Sequence, residues 1–121
     1  MKYLILFFVF NLFSPPGPPV TVEWQIEKSQ DLGLLDLNSP KSISFPFKNI
    51  TEEPITVDNV RTTCGCTAPN WDFAPILPGE IGKIDIEYDA KKPGYFYKKI
   101  KVFFSGQRRA EILVIEGEVK I

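Results

Sequence analysis

The only two thiols of the chain stand one residue apart, Cys64 and Cys66 in RTTCGCTAPNW, residues 61–71. On a regular strand both side chains would point to one face. Their Cα atoms would then sit about 6.6 Å apart, at the upper edge for a disulfide. Gly65 between them relaxes that limit, because glycine bends where other residues do not. A bridge closing so short a loop contributes only about 1.6 kcal/mol of closure entropy, so stapling the fold is a weak reason for the pair. Four chemistries stay open. They are a reducible Cys64–Cys66 disulfide in an oxidising compartment, two packed thiols filling a small space, two thiolates on a soft metal such as Cu(I), and thiol–disulfide catalysis. Arg61 would favour a thiolate, but no CxxC opens a helix after a strand. The only methionine is Met1, so a metal site would lack its usual helpers.

Other residues invite a functional reading. Trp71 and Phe73, with Arg61 nearby in sequence, form a candidate binding patch for a peptide or glycan; the competing role is to cap one end of the core. Tyr95, Tyr97 and Phe103 share a strand face and point to a second patch or to the covered side of an edge strand. Asp85 and Glu87 are spaced as paired carboxylates, yet Lys83 beside them points to a solvated face. Asn49-Ile50-Thr51 spells a glycosylation sequon, and an asparagine in a turn explains it equally.

Composition narrows the classes. There is no histidine, hence no Ser–His or Cys–His relay and no imidazole ligand. No glycine-rich phosphate loop and no cluster of acids occurs, so neither an enzyme nor a cofactor is expected. Fourteen basic and 15 acidic residues leave a net charge of −1, with no excess to recruit nucleic acid or an anionic membrane. The length of 121 residues suits one domain.

The elements that must position these residues read as strands. Apolar residues recur with period two, the mark of half-buried strands. Ile43, Phe45 and Phe47 share a face in KSISFPFKN. Ile84, Ile86 and Tyr88 do so in GKIDIEYD, Ile100, Val102 and Phe104 in YFYKKIKVFF, and Leu113, Ile115, Val119 and Ile121 in AEILVIEGEVKI. Shorter candidates are VTVEWQI, LGLLDL and ITVDNV, whereas TAPNWDFAPILPGE reads as a loop. Pro46 predicts an edge position or a bulge, and Gly117 a bulge or bend. Val57 joins Ile43, Phe45, Phe47, Ile84, Ile86, Ile100, Val102, Leu113 and Ile115 as the expected core. Pro78-Gly79, Pro93-Gly94 and Ser105-Gly106 supply turns. No convincing 3.6-residue period appears. About seven short strands predict an all-β, immunoglobulin-like antiparallel β-sandwich.

The chain divides into residues 1–19 and a domain at 20–121. Lys2, then an apolar run from Tyr3 to Phe13 broken only by Asn11, is the pattern of a secretory signal, and it is short of the roughly 20 residues of a spanning helix. Prolines at 15, 16, 18 and 19 close it. The expectation is an exported protein, periplasmic, secreted or on the cell surface, with no membrane insertion once the signal is removed.

CGCTAPNW followed by PILPGEIGKIDIEYD resembles the bacterial exported family known as domain of unknown function 1573, relatives of the immunoglobulin-like domains of abnormal-spindle and Hydin-type proteins. The resemblance runs from about Leu32 to Ile121. It is carried by Leu32-Gly33, Phe45, Phe47, Asn49, Pro54-Ile55, Cys64-Gly65-Cys66, Trp71, Pro75, Pro78-Gly79 and Glu116-Gly117-Glu118-Val119. It departs at Thr51-Glu52-Glu53, where the family favours a short turn with glycine. The resemblance implies the sandwich and the export signal, and no activity. The expectation is therefore an exported module that binds a protein partner or serves structure in the cell envelope. The rival is a thiol-redox or Cu(I)-handling protein centred on Cys64 and Cys66.

Overall fold

Alternating apolar residues build the strands, and the side of each strand that they occupy decides how two sheets meet. The computed structural model describes residues 20–121; the expected signal segment, residues 1–19, lies outside the described residues. Within them are β1 (Val22–Trp24), β2 (Ser29–Asp36), β3 (Lys41–Asn49), β4 (Val57–Thr62), β5 (Thr67–Trp71), β6 (Ile81–Tyr88), β7 (Gly94–Phe104) and β8 (Glu111–Lys120), and no helix. One sheet has the order β1-β3-β6-β5 and the other β2-β8-β7-β4. This is the immunoglobulin-like sandwich. Eight strands stand where about seven were expected, and one pair is parallel. β2 arrives from the opposite sheet, so no hairpin ties its direction to a neighbour, and it runs alongside β8.

The core sits between the sheets. Phe45, Phe47, Ile84 and Ile86 face Ile100, Val102, Leu113 and Ile115, all fully buried, with Val57 beside them. Ile43 departs from the expectation: it is only partly buried and packs on the rim, near the open start of β3. Phe47 stands edge-on to Trp24 and Phe104, with centroids 5.6 and 5.0 Å away. Ile121, expected on the inner face, is fully exposed past the end of β8.

Pro69 and Pro46 both lie inside strands. TAPNW is β5, not a loop. The carbonyl of Cys66 faces β6 and accepts from the Asp89 amide at 2.9 Å. Three residues further on, alternation turns the nitrogen of Pro69 the other way, to the free edge, where no ladder bond is lost. Pro46 lies in β3, an inner strand rather than an edge, and without a register break. Its carbonyl accepts from Gln25 (2.9 Å) just past the end of β1, so its missing donor falls where that ladder stops. Gly117 is likewise no bulge. It pairs in register with Phe96, and a Cβ there would come within 2.8 Å of both the Gly33 carbonyl and the Phe96 ring. The irregularities lie instead on the edges, between Asp31 and Leu34 in β2 and between Val57 and Asn59 in β4.

The strands carry the turns to two ends. At the cysteine end lie residues 37–40, 63–66 and 89–93; at the aromatic end lie residues 50–56, 72–80 and 105–110. Asn49 anchors the aromatic end. It is buried, its amide donates to the carbonyls of Glu53 (2.8 Å) and Ile76 (2.9 Å), and its oxygen accepts from the amide and hydroxyl of Thr51 (2.8 and 2.7 Å). A side chain so engaged is closed to a glycan, which removes the sequon reading.

Candidate functional site

At the cysteine end the chain turns between β4 and β5, and Cys64 and Cys66 are joined in a disulfide, their Cα atoms 5.3 Å apart. The turn, not a flat strand, shortens that separation. Gly65 is not what permits it: its φ is not left-handed, and a Cβ there would meet open space. The Thr62 hydroxyl pins the turn, donating to the carbonyls of Cys64 (3.2 Å) and Thr67 (3.3 Å). The Thr67 hydroxyl, on a buried residue, lies 3.9 Å from the Cys64 sulfur and 3.8 Å from that of Cys66.

Beside the bridge opens a cavity of about 340 Å³, lined by Cys64, Cys66, Asp89, Lys91, Lys92 and Lys98. Lys98 is unexpected there. Its neighbours at even positions, Phe96, Ile100, Val102 and Phe104, are core residues, and the lysine replaces an apolar side chain on the inward face of β7. The alternation that predicted Ile100 and Val102 as core held this signal. Tyr88 and Phe96 stack at 3.9 Å behind it, and burial raises the Tyr88 phenol above its ordinary 10.0, with the Asp89 charge adding to the effect. Ala90, buried at the same turn, holds a left-handed φ of 54°, which non-glycine residues seldom adopt. Its carbonyl accepts from the Asn38 amide (2.8 Å).

At the aromatic end Trp71 and Phe73 come together, ring centroids 5.3 Å apart. Trp71 packs against the core, with its Nε1 buried and unpartnered; Phe73 is 73% exposed. Trp71 thus takes the core-capping role, and Phe73 stands free of the core. Alongside runs an open groove of about 930 Å³ whose walls include Trp71, Pro75, Ile81 and Lys83. Arg61 does not join this patch. It projects from the outer face of the other sheet, its guanidinium 5.3 Å from the Phe103 ring centroid. On that face Tyr95 and Tyr97 are exposed, and β7 is an inner strand, so they do not form the covered side of an edge. The Tyr95 hydroxyl donates to Glu116 (2.7 Å), and that bond, ahead of any burial, raises its pKa. Asp85 is occupied by Lys83 (3.5 Å) and Ser44 on the outer surface.

The cysteine sulfurs, bonded to each other, offer no thiolate to a soft metal. Among the described residues no group of three or more His, Cys, Asp or Glu converges as a metal site would.

Residues 22–119 match the family described as "Protein of unknown function (DUF1573)". The chain belongs to this family. The DUF1573 domain is similar in structure to a protein of unknown function from Porphyromonas gingivalis W83, with 18% identity, 81% of this chain and 46% of that one covered, and a TM-score of 0.70. The chain thus spans about half the length of that relative. It is also similar to the ASH/PapD-like domain 7 of human CEP192 (11% identity, 90% and 91% covered, TM-score 0.72). A third likeness is to the VesB protease of Vibrio cholerae (13% identity, 98% and 35% covered, TM-score 0.63). At such identities the likeness is one of fold. No curated protein sequence matches this chain significantly.

Proposed function

We propose that the domain is an exported immunoglobulin-like module that acts by binding a protein partner in the cell envelope. The observation that carries this reading is the Trp71–Phe73 shelf beside its groove. Trp71, partly buried against the core, lies beside the exposed Phe73, and the exposed Ile81 lines the same groove as Trp71. Preformed aromatic anchors of this kind are what protein interfaces favour at their centres, because little side-chain freedom is lost on contact. Lys83, Asp85 and Glu80 along the groove supply both signs of charge at its rim, as a polypeptide ligand requires. Export rests on the basic and apolar start of the sequence.

A photoreactive phenylalanine analogue at position 73, compared with one at exposed position 99, tests this in the native envelope. The expected result is one protein adduct from position 73 that disappears on Ile81→Ser. Adducts from both positions alike, or none from 73, would overturn the reading.

A further inference from the structure

We propose that the cavity at the cysteine end is a thiol–disulfide exchange site, selective for thiols that carry carboxylates. The first ground is placement. The Cys64–Cys66 bridge spans a sequence separation of 2, adds little closure entropy to the fold, and forms a wall of an open cavity rather than lying in the core. The second is charge. Three lysines and one acid line that cavity. Asp89 is already engaged, accepting from the Lys91 amide (3.2 Å), and none of Lys91, Lys92 and Lys98 is in an ion pair among the described residues. Lys98 is held half-buried on a face otherwise given to the core. The third is Thr67, whose hydroxyl reaches both sulfurs.

The step balances without any other reactant. An incoming thiolate attacks Cys64, the sulfur not packed against the core. A bond forms between its sulfur and Cys64 Sγ, the Cys64–Cys66 bond breaks, and its electron pair leaves on Cys66 Sγ. The Thr67 hydroxyl donates to that thiolate, and the lysines offset its charge. A second thiolate then displaces Cys64, so two thiols are oxidised to one disulfide as the pair takes up two electrons and two protons. Run in reverse, the pair is reoxidised.

The test uses purified exported protein with the pair oxidised and three small thiols: 3-mercaptopropionate, 2-mercaptoethanol and cysteamine. Opening is followed by alkylation and intact mass, with rates expressed per thiolate to remove differences in thiol pKa. At low salt the carboxylated thiol should react about tenfold faster than the neutral one and cysteamine slowest, and high salt should close the gap. Lys98→Gln should slow the carboxylated thiol more than the other two. Should that variant fail to fold, Lys91→Gln with Lys92→Gln on the exposed turn reads the same quantity. Thr67→Val should slow all three thiols and Thr67→Ser restore them. Equal rates for the three thiols, or lysine variants that slow all three alike, would overturn the proposal.

Discussion

The two ends of the sandwich terminate the same two sheets, yet they are tied down by opposite means. At the aromatic end, polar side chains close on themselves. Asn49 makes four hydrogen bonds to two loops. Gln107 accepts from the amide and hydroxyl of Thr21 and donates to Glu111, which in turn accepts from the Trp24 indole (2.9 Å). At the cysteine end, the turn is held by Thr62, a covalent bridge and one left-handed alanine, and three lysines are left facing a cavity. Groups satisfied internally stabilise; groups left facing solvent are available to something else. The contrast places a closed hydrogen-bond network at one end and the proposed exchange site at the other.

The comparison breaks first if the aromatic end is not the stabilising one. Phe47→Ala should destabilise by about 3–5 kcal/mol, as for a buried aromatic truncated to a cavity, since Trp24 and Phe104 both rest on that ring. Equilibrium denaturation measures it, and a loss under about 1 kcal/mol would contradict the packing. Next comes Asn49→Ala, expected to cost about 3 kcal/mol because buried carbonyls lose their donor. The same denaturation series, with amide exchange at Thr51, reads that loss and should find it local to the aromatic end.

The cysteine end should respond less. Cys64→Ser with Cys66→Ser should leave a folded domain destabilised by no more than about 2 kcal/mol, given the short closed loop. Loss of cooperative unfolding in this variant would make the bridge structural. Alkaline pH sharpens the contrast further. The Tyr88 phenol is held above its ordinary 10.0, so the folded state keeps a proton that the unfolded chain releases. Its contribution is fully present below that pH and lost as pH rises through the folded value. Melting temperature should fall above pH 10, less steeply in Tyr88→Phe. The smallest effect is expected at Gly65→Ala, within about 0.5 kcal/mol of wild type, because the site is open and not left-handed.

Much of this architecture can be read in advance, for a physical reason. Phe45, Phe47, Ile84, Ile86, Ile100, Val102, Leu113 and Ile115 alternate with polar residues because each sheet has one wet face, and they are the core. Pairing between distant strands leaves no such trace. The parallel β2–β8 ladder follows from where the chain crosses between sheets. That TAPNW forms a strand is not legible beforehand, because the direction of the Pro69 nitrogen depends on which neighbour β5 finds. Gly117 makes room for the Gly33 carbonyl and the Phe96 ring, and only the fold brings them there. At the candidate sites, the cysteine pair and the Trp71–Phe73 pair stand out by residue type. Lys98 and Thr67 do not: one is a lysine among lysines, the other a threonine in a threonine-rich stretch. Arg61, near Trp71 in sequence, is separated from it because β4 and β5 belong to different sheets.

The edges of the two sheets decide what happens when many copies of the domain meet. An exposed, flat, unpaired strand is a template on which another chain can add. Here β1 is three residues long, β2 and β4 are interrupted by irregularities, and β5 turns Pro69 outward. None presents an unbroken row of donors and acceptors to a second folded copy. Aggregation of this domain should therefore follow the population of unfolded chain, rising with destabilising variants such as Phe47→Ala, and not the concentration of the native fold.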